Sequence, residues 1–222
     1  MKKSFITILL AAVTTTANAQ FFAGINGKIG DGDFANRDWR DGNKQGTWSC
    51  VGINAGYEFI RHIPVSVGVE YAVLNTTGKF SEFYDGKFIR MPVTAGYCHY
   101  FGNIRLFAGA GVFASFGKVD KGRYADGNGS LLATAPKINL HLGYLLQGGA
   151  GYRIMDKLLL SLSFEYNRPF KERIDCDLPG VEAGWPSFRF AGVTLGASWY
   201  FSSSPAQRPR PLLVASPSPV RH

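Results

Sequence analysis

Sorted by parity, the stretch "LLLSLSFEYN" at 158–167 becomes two surfaces. Even positions carry Leu158, Leu160, Leu162, Phe164 and Tyr166, and odd positions carry Leu159, Ser161, Ser163, Glu165 and Asn167. Successive side chains of a strand point to opposite faces, so the pattern predicts a strand with one apolar and one polar side. Similar alternation predicts eight strands, at 21–30, 47–60, 65–76, 87–101, 104–117, 139–154, 157–168 and 189–201. The last sets Ala191, Val193, Leu195, Ala197, Trp199 and Phe201 against Gly192, Thr194, Gly196, Ser198 and Tyr200. The third sets Val65, Val67, Val69, Tyr71 and Val73 against Ser66, Gly68, Glu70 and Ala72.

The connections alternate too. "RHIP" at 61–64, "GN" at 102–103 and "MD" at 155–156 are tight turns, and Gly-Asn is a two-residue hairpin signal. The others, 31–46, 77–86, 118–138 and 169–188, are long and rich in Gly, Asp, Asn, Lys and Arg. Short turns at one rim and long polar loops at the other suit an up-and-down membrane barrel, and an even strand count returns both ends to the short-turn rim. The expected class is all-β: an eight-stranded antiparallel up-and-down transmembrane barrel.

In such a barrel the apolar face meets lipid and the polar face lines a narrow interior. The polar face carries Lys28, Glu58, Glu70, Arg90, Arg105, Arg153 and Glu165. Glu58, Arg105 and Arg153 fall within about two residues of the short-turn rim, Lys28, Glu70 and Glu165 six to eight residues in, and Arg90 somewhat deeper. Charges shut inside must be paired, and Lys28 and Arg90 are candidate partners of Glu165. Aromatics bunch at the same rim: Phe21, Phe22, Tyr57, Phe59, Tyr97, Phe101, Tyr152, Trp199, Tyr200 and Phe201. Of these, Phe21, Tyr57, Phe59, Tyr97, Phe101, Tyr152, Trp199 and Phe201 are read as a girdle and closing strand at the membrane interface.

A soluble lipocalin-like barrel would reverse the two faces. "GTW" at 46–48 resembles the G-x-W of lipocalins, but it opens the second segment and no other lipocalin mark accompanies it.

The ends and composition narrow the setting. "MKKSFITILLAAVTTTANAQ" reads as a secretory signal, residues 1–19, with cleavage after Ala19. Residues 20–201 then form the barrel, and 202–222, with five prolines and three arginines, a disordered periplasmic tail. The formal charge of +8 falls by two when Lys2 and Lys3 leave, and no basic block suggests nucleic acid. Cys50, Cys98 and Cys176 are too few and too far apart for a disulfide scaffold or a thiolate metal site. Pro92 removes a ladder donor from the fourth strand, which predicts a bulge there.

At its closing strand, "FAGVTLGASWYF" resembles the terminal strand of outer-membrane barrels, whose final aromatic is read by the assembly machinery. With "FFAGINGKIG", "AGAGVFASFG" and "GGAGYRI", the chain to Phe201 resembles the eight-stranded OmpA/OmpX-like barrels. More particularly, it is similar to the outer-membrane β-barrel domain proteins of Bacteroidetes-type bacteria. The resemblance implies residence in the cell outer membrane. It also implies contact with membrane lipid and lipopolysaccharide, and passage through the barrel-assembly machinery.

Chemistry is sparse. Some such barrels modify lipid A, which calls for a nucleophile and base in reach. His141 has Gly143 rather than Ser two residues on, His99 falls on the lipid-facing side, and His62 sits in a turn. The acidic loop "DGDFANRDWRDGN" lacks the EF-hand spacing, with Ala35 and Asn36 at the key places. No catalytic, cofactor or metal residue is assigned. The expected role is a non-enzymatic structural or surface-interaction barrel acting through its loops on an extracellular protein or ligand. A porin-like small-solute channel and a lipid A-modifying enzyme are the alternatives.

Overall fold

The structure, a computed structural model, describes residues 20–34, 45–59, 62–77, 83–122, 124–125, 131–132, 137–171, 173–174, 185–186 and 188–201. The proposed signal, the 202–222 tail, Cys176 and most of the four long connections lie outside these residues.

Eight strands close one barrel: β1 Gln20–Phe34, β2 Gln45–Phe59, β3 Ile63–Thr77, β4 Phe83–Phe101, β5 Ile104–Gly122, β6 Lys137–Met155, β7 Leu158–Pro169 and β8 Phe188–Tyr200. Each is antiparallel to its neighbours in sequence, and β1 pairs with β8 to complete the ring. Closure satisfies every edge, which a barrel in hydrocarbon requires. Two short ladders, Tyr124–Ala125 with Leu131–Leu132 and Arg173–Ile174 with Trp185–Pro186, stand outside it. The expected strands are all present. β4 and β5 extend beyond 87 and 117 because their pairing continues to Tyr84 and Gly122.

The β4–β5 connection, like the β6–β7 one, is a two-residue turn. Gly102 has φ 61°, a left-handed conformation that glycine adopts without a Cβ clash. At the same rim His62 N–H donates to the Phe59 carbonyl at 3.0 Å, and Phe201 N–H donates to the Phe21 carbonyl at 3.0 Å, tying the last residue of the barrel to the first strand.

Pro92 produces no bulge. The β3–β4 ladder lapses opposite Met91 and Pro92, then resumes at Glu70–Arg90 in the register of Val67–Val93. Pro92 keeps its pairing with Phe113 on β5. One missing donor toward β3 interrupts a ladder without requiring an extra residue. The register shifts lie instead at Asp85/Gly86, Ser115/Gly117 and Arg153/Met155.

The outside is apolar. Ile25, Ile53, Leu140 and Leu195 are each 63–65% exposed, in a band continued by Val51, Val67, Leu106, Val112, Leu162 and Phe164. A patch of this extent around a whole molecule is untenable in water and natural in hydrocarbon. Phe21, Tyr57, Phe59, Tyr97, Phe101, Tyr152, Trp199 and Phe201 lie outward near the turn rim, with Phe21 5.2 Å from Tyr57 and 5.1 Å from Phe201 between ring centres. Phe22 and Tyr200 turn inward and are buried, their rings 5.5 Å apart. Toward the loop rim Tyr144 lies 6.5 Å from Tyr166 and 6.1 Å from Phe170.

Candidate functional site: the barrel interior

Residues of one parity along each strand enter the lumen, where an eight-stranded barrel leaves just enough room for side chains. They stack in layers. In the central layer β1 contributes Lys28, β3 Glu70, β4 Arg90 and β7 Glu165, all buried. Lys28 Nζ lies 2.6 Å from Glu70 Oε1 and 2.5 Å from Glu165 Oε2. Arg90 Nη1 lies 3.2 Å from Glu70 Oε2, and its Nη2 3.4 Å from Glu165 Oε1. Four charges of alternating sign thus form a closed, neutral ring. Asn167 Nδ2 donates to Glu165 Oε1 at 3.3 Å, and the Cys50 thiol points at Glu70 Oε2 at 3.7 Å. Glu165 therefore faces both cations named as its candidate partners.

On the loop side the ring is capped by aromatics. The Arg90 guanidinium lies 4.7 Å from the centre of Phe113 and 5.7 Å from that of Trp48. Trp48 stacks on Phe88 at 5.8 Å and meets Phe190 at 5.5 Å, with Leu74 buried beside them. A cation held between ring faces is favourable where water is excluded.

A second polar layer closes the turn rim around Glu58, which is fully buried. Arg105 Nη2 lies 3.2 Å from Glu58 Oε2, Tyr100 Oη donates to the carboxylate at 2.8 Å, and Tyr200 Oη donates at 3.0 Å. Arg153 reaches this group through Tyr100, its Nη2 3.4 Å from the phenol oxygen, and lies 5.3 Å from the Tyr200 ring. Phe22 and Leu159 pack with Tyr200 in the same plug.

All seven charged positions singled out in the sequence thus lie inside, in two clusters. Phe113, which alternation places on the same inward face as Arg105, joins these clusters, as do Tyr100 and Trp48, whose aromatic character alone gives no sign of it. His141 faces Phe113 edge-on at 6.1 Å, while His62 and His99 stack outside, 5.9 Å apart. Among the described residues no three or more His, Cys, Asp or Glu side chains group as metal ligands. Cys50 and Cys98 are buried and form no disulfide. Both are expected to resist alkylation in the folded barrel and to label fully on unfolding, as mass spectrometry of the peptides would show.

A closed antiparallel barrel with an apolar exterior and a paired-charge interior defines an outer-membrane β-barrel protein. The chain belongs to the outer membrane protein beta-barrel domain family, whose model matches residues 4–201. It lies, accordingly, in the outer membrane. Among solved structures it is similar to neisserial surface protein A, with TM-score 0.55 and 15% identity over 82% of this chain and 97% of that one. It also resembles OprG of Pseudomonas aeruginosa (TM-score 0.49, 13% identity, 82% and 95% covered). A third is Ail, the attachment invasion locus protein of Yersinia pestis (TM-score 0.44, 14% identity, 82% and 98% covered). At these identities the likeness is one of fold. No curated protein matches the chain.

Proposed function

We propose that this barrel is a closed, non-enzymatic membrane anchor that presents its long connections, 31–46, 77–86, 118–138 and 169–188, to the cell exterior for surface interaction. The observation that supports this is the filled lumen. An aromatic cap, a four-charge ring and a Glu58-centred plug lie in series along the axis, each built of buried side chains. A solute-sized pore would need all three displaced, which argues against a porin-like role. In this reading the turn rim faces the periplasm, the outer surface contacts lipid and lipopolysaccharide, and the closing strand to Phe201 engages the assembly machinery. An enzymatic role lacks support from the lumen, where Ser115 and His141 pair across β5 and β6 but Ser115 is buried away from any lipid substrate.

The test is electrical. Refolded protein in a planar bilayer is expected to give no stepwise current at neutral pH in molar salt, and regular unitary steps would overturn the anchor reading. Deleting residues of one long connection at a time should then abolish adhesion to a surface ligand while leaving the heat-modifiable gel shift intact.

A further inference from the structure

On the lipid-facing wall the band of projecting side chains is broken at Gly27. An added Cβ there would meet nothing within 4 Å, while Ile25 and Ile29 on either side are 65% and 62% exposed. By register Gly27 lies opposite Leu195 on β8 and Val51 on β2, and Val51 lies opposite Tyr71 on β3. These residues, with Val73, Val193 and the small Ser49, line an open groove of about 430 Å³. That volume falls in the range of small-ligand pockets, roughly 300–1,000 Å³. Val51 is about eight residues from the turn rim at Phe59, or ~20 Å along the axis, so the groove lies in the loop-side half of an apolar band ~25 Å tall.

At its β3 end the groove runs up to a pair of cations. Val73 lies opposite Lys87 on β4, and Lys87 lies opposite Lys118 on β5. Both lysines are exposed, and Ile89 and Phe116, two residues nearer the turns, are each 39% exposed on the same outward face. Like charges directly opposite one another on a sheet repel, and an anion shared between them turns that repulsion into attraction. We infer that the groove and the lysine pair form one site for a single molecule of lipid A, with an acyl chain laid over Gly27 and a phosphate between Lys87 and Lys118.

Shape and charge together select this occupant. The outward side chains along the groove are apolar save the hydroxyls of Ser49 and Tyr71, which suit the ester and hydroxyl oxygens of an acyl chain near its sugar. A second barrel would present a convex wall, held off the floor by Ile25 and Ile29. A single acyl chain is thin and flexible enough to reach it. Lipid A as the source of chain and phosphate rests on the proposed orientation, in which the loop-side leaflet is the lipopolysaccharide one.

The test is native mass spectrometry of the whole refolded protein, released from micelles that contain lipid A. One lipid A is expected to stay bound. Gly27→Leu, which fills the groove from an open position, and Lys87→Gln/Lys118→Gln should each weaken retention about tenfold, while Ala55→Leu, nearer the turns on β2, should not. With lipid A stripped of its phosphates, the lysine variant should bind as the parent does and Gly27→Leu should still bind less. Equal retention by the parent and Gly27→Leu, equal retention of phosphatidylglycerol and lipid A, or a protein dimer that Gly27→Leu dissolves would overturn the site. The heat-modifiable gel shift shows that each variant is folded. Orientation is read separately: an epitope placed in 118–138 should be open to antibody on intact cells. A hidden epitope would overturn the orientation, and lipid A as the occupant, whatever the spectra show.

Discussion

Replacing Lys28 with methionine is expected to destabilise the folded barrel by about 3–5 kcal/mol, the usual cost of leaving a buried charge without its partner. Lys28 is the bridge between the two acids of the central ring, at 2.6 Å from Glu70 and 2.5 Å from Glu165. Methionine fills a similar volume but leaves two carboxylates sharing Arg90 alone, a ring of net charge −1 in a lumen closed to bulk water. The shape of the loss is also specified. A Lys28→Met/Glu165→Gln double variant restores neutrality around the Arg90–Glu70 pair, so it should be more stable than the single variant despite carrying one more change. Denaturant midpoints of the bilayer-folded protein, read by heat-modifiable gel mobility, measure both. A Lys28→Met barrel within about 0.5 kcal/mol of the parent, the range of an innocuous surface change, would show that the ring is not held by charge balance.

The same ring shows what the chain discloses and what it withholds. Strand number and facing follow from a period of two, because shifting a strand by one residue exchanges every side chain between lipid and lumen. Parity alone therefore puts Lys28, Glu70, Arg90 and Glu165 on one face. It does not say which of them meet. By register Lys28 lies opposite Cys50 on β2 and Thr194 on β8, and neither is its ion partner. Its partners come from β3 and β7, one strand further round on each side, reached across the lumen. Strand tilt and stagger set those heights, and no local pattern encodes them. Trp48 illustrates a second limit: parity gives Phe113 the inward face of Arg105, but nothing in the pattern singles out Trp48 for the lumen, where its ring lies 5.7 Å from the Arg90 guanidinium. Pro92 illustrates a third. The missing N–H is visible in the sequence, but whether the chain answers with a bulge or with a lapse in the ladder depends on the neighbouring strand. The interval opposite Gly68 and Val69 shows the lapse.

The inverted arrangement of faces carries its own large prediction. Ile53, 63% exposed, sits between Ile25 and Val69 about six residues from the turn rim at Phe59. At roughly 3.3 Å per residue and a tilt near 40°, that is ~15 Å along the barrel axis, near the middle of an apolar band ~25 Å tall. Ile53→Arg should therefore cost about 2–4 kcal/mol in a bilayer, because the guanidinium must enter hydrocarbon or thin the membrane to escape it. On a water-facing surface the same change would fall within about 0.5 kcal/mol of zero. Ile63, 44% exposed at the rim itself, supplies the control. Ile63→Arg puts the same charge among headgroups and should cost only about 0–1 kcal/mol. The contrast between the two positions cancels the intrinsic effect of exchanging isoleucine for arginine and isolates depth. Equal midpoints for the two variants would mean that Ile53 does not face the membrane core, and the band of Ile25, Ile53, Leu162 and Leu195 would need another covering. A gap of about 1–4 kcal/mol, shrinking as the lipid acyl chains are shortened, is the outcome that hydrocarbon around the barrel requires.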